Sequence, residues 1–168
     1  MAAARVCSRV IAVDVSPAMV DMLRKRVADA RINNVTVVHA GFLSYEHDDP
    51  PADFVFSRNA LHQLPDFWKG IALQRIAGIL RPGGMLRLRD LAYDFDPSEA
   101  GERLTAWFSG AVTDSAKGWT ESELAEHVRI EFSTYSWLLE ELLRRTGFEM
   151  IERAYRRGVY AMYMCRRE

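Results

Sequence analysis

Val10-Ile11-Ala12-Val13-Asp14-Val15-Ser16-Pro17-Ala18-Met19 is the stretch from which the fold is read. Val10 to Val13 form a short, nearly continuous apolar run, the pattern of a parallel strand buried on both faces. Asp14 closes it with a carboxylate at the strand's carboxyl end. Ser16 offers an oxygen to the free N–H groups of a following helix, and Pro17 suits the first helical position, where no N–H is needed. Val20, Leu23, Val27 and Ala30 then fall at i, i+3, i+7 and i+10, one apolar stripe. Asn33-Asn34 marks a turn, and Val35 to Val38 are a second β-branched run. Val10 to Val38 therefore predicts a βαβ crossover, the unit of a doubly wound sheet.

The alternation continues along the chain. Phe54-Val55-Phe56 predicts a third strand, and Asp66 a helix cap ahead of Trp68, Ala72, Ile76 and Ile79. Pro82-Gly83-Gly84 is expected to stop that helix and Met85 to Leu91 to form a fourth strand. Ser98 starts a helix with Leu104, Trp107, Phe108 and Val112 on one face, and Thr120 with Glu123 makes a capping box for the next. Leu138, Leu139, Leu142 and Leu143 give a last amphipathic helix, ended by Gly147. Phe148 to Tyr155 and Val159 to Cys165, separated only by Arg156-Arg157-Gly158, predict an antiparallel hairpin.

Composition narrows the class. A chain of 168 residues, 49% hydrophobic and 27% charged, predicts one folded domain over residues 1–168 rather than disorder. A net charge of −1 supplies no field for nucleic acid or an anionic membrane, so neither is expected as a partner. Arg144-Arg145, Arg156-Arg157 and Arg166-Arg167 read as solvated surface. Cys7 and Cys165 have no zinc or redox spacing. His47-Asp48-Asp49 reads as a solvated loop before Pro50-Pro51, so no metal site is expected. No apolar run is long enough to span a bilayer, and Met1 to Arg5 lack a secretory signal, which predicts a cytoplasmic protein.

Several segments together resemble the class I S-adenosylmethionine-dependent methyltransferases of small-molecule type. These are Val13-Asp14-Val15-Ser16-Pro17-Ala18-Met19, Asp53-Phe54-Val55-Phe56-Ser57 with Ala60-Leu61-His62, Leu80-Arg81-Pro82-Gly83-Gly84 with Met85-Leu86-Arg87-Leu88, and Arg145-Thr146-Gly147-Phe148. The resemblance implies an α/β, Rossmann-like, doubly wound, mostly parallel sheet with a C-terminal antiparallel hairpin. It implies methyl transfer from S-adenosylmethionine to a small acceptor.

The site residues follow from that resemblance. A carboxylate at a strand tip accepts two hydrogen bonds from a ribose diol, which is the role implied for Asp14; capping the next helix is its alternative. The same placement serves nicotinamide cofactors, so a fragment of a nicotinamide-dependent oxidoreductase is a rival reading. Val15 and Met19 would flank the adenine, with helix-core packing an equal alternative for Met19. Gly41 and Phe42 would also meet the cofactor, Phe42 standing where the family usually has an acid. Asn59 and Ala60 align beside the methionine portion. His62 would orient or deprotonate the acceptor, against a structural histidine capping its turn. Asp90 either faces substrate or is a plain turn or surface acid. Tyr93, Trp107, Phe108, Trp119, Tyr135 and Trp137 are candidates for an apolar acceptor pocket, with core packing favoured for Trp107 and Phe108.

The family also has a first strand, a glycine-rich turn and a helix ahead of the segment at Val10. That is roughly 30 residues, which Met1 to Ser8 are too few to supply. The expectation is an N-terminally truncated domain or a start placed too far downstream. A degenerate, cofactor-free binding module is the second rival reading.

Overall fold

The computed structural model of the chain describes residues 2–168. Its backbone divides into two compact units, residues 1–48 and 49–168. In the first, β1 (Val10–Asp14) and β2 (Val35–His39) pair in parallel from Val10↔Val35 to Asp14↔His39, joined by α1 (Pro17–Asp29). This is the crossover expected from the sequence. Ser16 is the N-cap, its Oγ accepting the Met19 N–H, and Val20 is buried to 1% exposure. Asn34 Nδ2 donates to the carbonyls of Ala4 and Cys7, both at 2.9 Å, tying the chain's opening turn to the β2 approach.

One expectation needs correction here. β1 is not buried on both faces: most of it is half-buried and Val13 is 38% exposed. A two-stranded sheet with a single crossover helix has too little cover for a fully buried strand.

The second unit holds β3 (Ala52–Arg58), α2 (Asp66–Ile79), β4 (Leu80–Tyr93), α3 (Ala100–Phe108), α4 (Glu121–Ile130), β5 (Thr134–Tyr135), α5 (Ser136–Arg145), β6 (Phe148–Arg156) and β7 (Tyr160–Arg167). The sheet order is β3-β4-β7-β6, with the short β5 beside β4. β3 and β5 run parallel to β4, whereas β7 is antiparallel to both β4 and β6. The fold is thus α/β and Rossmann-like, parallel at the start and antiparallel at the C-terminal hairpin. Ala72, Leu73 and Ile76 of α2, Leu139 and Leu143 of α5, and Leu86, Leu88, Tyr163 and Cys165 of the sheet are all buried and make the core. In the hairpin turn, Arg157 and Gly158 both take positive φ, the backbone twist that tight antiparallel connections need.

Several local expectations shift by a few residues. Asp66 opens α2 rather than capping it; Pro65 is the N-cap, and the Asp66 carboxylate accepts from Lys69 Nζ at 2.7 Å and Thr134 Oγ1 at 3.2 Å. Trp68 is 45% exposed, and Lys69, 2% exposed, occupies the inward face instead. α2 ends at Ile79, before Pro82-Gly83-Gly84, because Leu80 already pairs with Ala52. Arg81 to Gly84 then bulge out of the ladder before Met85 meets Phe54. α3 starts at Ala100, after a 3-10 turn capped by Asp96 rather than Ser98, and ends before Val112. The Thr120–Glu123 capping box forms as expected. Among the described residues, no helix is long and apolar enough to cross a membrane.

Gly84 is the tight point of the bulge: a Cβ there would sit 2.8 Å from the Arg81 carbonyl oxygen and 3.2 Å from that of Ala52. Gly84→Ala is expected to destabilise the fold by about 1–3 kcal/mol in denaturant unfolding, because backbone rather than a flexible side chain must yield. The two cysteines offer a second check. Cys7 is exposed, while burial pushes the Cys165 thiol up to about 12. Native protein should react with a thiol reagent at Cys7 alone, and Cys165 only after denaturation.

Candidate functional site

In the first unit, five of the residues implied as cofactor contacts come from two neighbouring strand ends. Asp14 terminates β1 beside His39 of β2. Its Oδ1 accepts the Ser16 N–H at 2.8 Å, so one carboxylate oxygen serves the turn into α1. His39 Nε2 lies 3.0 Å from the Val15 carbonyl, and the Ala40 N–H reaches the Asp14 carbonyl at 3.1 Å. These bonds hold the two connections side by side. A Cβ on Gly41 would come within 2.5 Å of Val15 Cγ1, so glycine is what lets these segments approach. Val15 is 68% exposed and Met19 47%, which removes helix-core packing as the account of Met19. Phe42 follows, half-buried.

In the second unit, Asn59, Ala60 and His62 lie just past β3, and the group that organises them is Asp90. Asn59 takes a left-handed φ of 49°, a conformation asparagine tolerates better than most, while its N–H reaches the Arg89 carbonyl at 2.8 Å. The chain then turns over the end of β4. Asp90 Oδ2 accepts the N–H groups of Ala60 at 3.2 Å and Leu61 at 2.8 Å; Oδ1 accepts that of Leu91 at 2.8 Å and the Nδ1–H of His62. At 3% exposure Asp90 is no surface acid. Its bond fixes His62 with the proton on Nδ1 and a lone pair on Nε2.

Gln63 Nε2 lies 3.0 Å from His62 Nε2, and Glu131 and His127 complete the cluster. Glu131 Oε2 is 2.9 Å from His62 Nε2 and 2.5 Å from His127 Nδ1. His127, on the last turn of α4, places its Nε2 2.9 Å from Ser133 Oγ. Burial holds the His127 imidazolium below the usual histidine range, overcoming the pull of the Glu131 carboxylate. Neither His127 nor Glu131 was singled out from the sequence. The available signal was their i, i+4 spacing at a helix end, which puts both on one face.

A pocket of about 180 Å³ opens onto this cluster, walled by Asn59, Leu91, Trp107, Trp119, Leu124 and Tyr160 as well as the three polar groups. Trp107 donates its indole N–H to Tyr160 Oη at 3.3 Å. Of the six aromatics proposed for an acceptor pocket, Trp107 and Trp119 line it. Trp107 also belongs to a core cluster with Leu91, Leu124 and Val159, against which Tyr93 and Phe108 pack. Tyr135 and Trp137 stack on each other at 5.7 Å, away from the lining.

Residues 1–84 match the family described as a methyltransferase domain. The chain belongs to the class I S-adenosylmethionine-dependent methyltransferases. Its sequence is 22% identical over 169 residues to a demethylmenaquinone methyltransferase of Oceanobacillus iheyensis, covering 93% of this chain and 66% of that one. A protein of the same name from Shouchella clausii is 24% identical over 168 residues, covering 92% and 66%. The chain thus spans 66% of the length of these two relatives. Among solved structures, the 4+2 cyclase SpnF superposes with a TM-score of 0.70 at 15% identity, covering 99% of this chain and 68% of that one. The N-methyltransferase NodS of Bradyrhizobium japonicum, bound to S-adenosyl-L-homocysteine, superposes at 0.64 with 14% identity, covering 96% and 67%. These likenesses are of fold.

Asp90 gives the site its first test. Asp90→Ala would leave three backbone N–H groups and the His62 imidazole without their acceptor. The expected loss is about 3–5 kcal/mol in denaturant unfolding, the range for removing one partner of a buried charged pair.

Proposed function

We propose that this methyltransferase moves the methyl group of S-adenosylmethionine to a small acceptor with a flat, apolar body, and that His62 is the residue acting on the acceptor. The observation carrying this reading is the pocket in which Trp107, Trp119 and Tyr160 surround an imidazole whose tautomer Asp90 has set. Aromatic walls suit an aromatic or polyunsaturated acceptor, and the demethylmenaquinone in the name of the two relatives is one such body. Family membership supports S-adenosylmethionine as donor. Asp14 is assigned to the ribose diol, with Val15, Met19, Gly41 and Phe42 around the adenine.

The chemistry asks little of the protein beyond placement. Displacement at a sulfonium methyl is in line, and holding acceptor and methyl in register supplies much of the rate. His62 adds control of the acceptor's proton at Nε2, a contribution of roughly 10²–10⁴-fold for such groups.

Two measurements test the reading. Asp14→Asn should weaken S-adenosylmethionine binding in calorimetry by about tenfold or more, the cost of reducing a charge-assisted hydrogen bond to a neutral one. An unchanged affinity would remove Asp14 from the cofactor site. With labelled S-adenosylmethionine and a panel of phenols, quinols and aromatic amines, label should pass to at least one acceptor, and His62→Gln should lower that turnover about 10²-fold or more. Cofactor binding without transfer to any acceptor would overturn the assignment of methyl transfer.

A further inference from the structure

His62, His127 and Glu131 come from two separate pieces of the second unit: the turn after β3, and the end of α4 with the residue after it. Their ligand-capable atoms nevertheless lie within 4.8 Å of one another, and both histidines are buried. We propose that these three side chains form a binding site for a divalent transition-metal ion, with His62 Nε2, His127 Nδ1 and one Glu131 oxygen as ligands. The sequence offered no metal spacing, because the ligands become neighbours only through the fold.

Three observations carry the assignment. Glu131 Oε2 is buried and close to two ring nitrogens, yet aligned as a hydrogen bond with neither. Next, each histidine has its second nitrogen in an outer hydrogen bond, His62 Nδ1 to Asp90 and His127 Nε2 to Ser133 Oγ, while Gln63 Nε2, 3.0 Å from His62 Nε2, would swing aside for an ion. Metal-binding imidazoles are held in this way, with the outer partner fixing tautomer and ring plane. Charge is the third. Among the described residues neither Asp90 nor Glu131 pairs with lysine or arginine, so two carboxylates, one of them 3% exposed, share a site that lacks a fixed cation.

Two imidazoles and one carboxylate select zinc, cobalt or nickel over magnesium or calcium, which prefer all-oxygen shells. Three protein ligands leave a fourth position open, the pattern of reactive rather than structural sites. The three ligands line the same pocket as Asn59, Leu91 and Trp107, so a molecule held there would lie beside the ion. With the ion bound, His62 Nε2 would be a ligand rather than a base and the acceptor would meet the metal instead, which favours an acceptor with an ionisable oxygen or sulfur.

The site rests on the second unit alone and does not depend on methyl transfer. Chelator-stripped full chain should bind one zinc or cobalt ion in calorimetry, and cobalt should bring visible ligand-field absorption. His127→Gln and Glu131→Gln, each verified as folded by circular dichroism, should abolish stoichiometric binding, and Asp90→Asn should weaken it about 10–100-fold. Magnesium should not compete. Zinc should raise the unfolding temperature of the unchanged chain only. Absence of saturable binding to the unchanged chain, or binding that survives both ligand substitutions, would overturn the proposal. Because neither S-adenosylmethionine nor an acceptor is present, failure here would leave the methyl-transfer reading untouched.

Discussion

A carboxylate sealed from water must find its hydrogen bonds inside the protein, and Asp90 finds four. Three come from backbone N–H groups of Ala60, Leu61 and Leu91, the fourth from the imidazole of His62. Burying an ionised carboxylate unpaired would cost several kcal/mol, so the chain leaving β3 is compelled to fold back over the end of β4. Because two of these backbone donors, Ala60 and Leu61, lie in the turn, the carboxylate holds the path of residues 59–62 through its main chain as well as through His62. The orientation of His62 follows from this path, and the pocket is built around His62.

A second buried charge positions the other half of the cluster. Lys69, on the inward face of α2, donates to Asp66 and to the carbonyl of Phe132. The N–H of Phe132 in turn donates to the carbonyl of His62 at 2.9 Å. Both backbone groups of Phe132 are therefore occupied, which fixes the neighbouring Glu131 against His62 Nε2. An ammonium 2% exposed is rarely tolerated without such partners, and the same bonds that satisfy it clamp the exit of α4 to the turn after β3.

Periodicity revealed what is periodic. The β1–α1–β2 crossover, the α4 capping box and the closing hairpin all follow from local chemistry: apolar spacing, an oxygen at an N-cap, a glycine with positive φ. Their positions hold to within a few residues. The places of Asp14 at the end of β1 and of His62 just past β3 were legible from the strand pattern, whereas the roles assigned to them come from the resemblance. His127 and Glu131 were not legible, since their role comes from meeting His62 across a separation of more than sixty residues. Lys69 misled for a related reason: a pattern reading puts tryptophan inward and lysine outward, and tertiary hydrogen bonds reversed the choice. Asp90 was seen as a strand-end acid, but nothing local distinguishes a surface carboxylate from one that receives four donors.

The division of labour between these parts bears on how the fold takes up different chemistries. β3 and β4 supply Asn59, His62, Asp90 and Leu91, groups fixed by the sheet. α3, α4 and the segments flanking α4 supply Trp107, Trp119, Leu124, His127 and Glu131, and these decide what the pocket admits. A protein described as a 4+2 cyclase superposes on this chain as well as N-methyltransferases do, so the shared frame does not dictate the reaction. What distinguishes one such protein from another has to reside in side chains that the frame holds but does not specify. Here those are the aromatic side chains that line the pocket, Trp107, Trp119 and Tyr160, and the closeness of Glu131 to two imidazoles. Since displacement at a sulfonium carbon depends mainly on alignment, a helical segment that changes shape and charge can redirect the acceptor without disturbing the sheet.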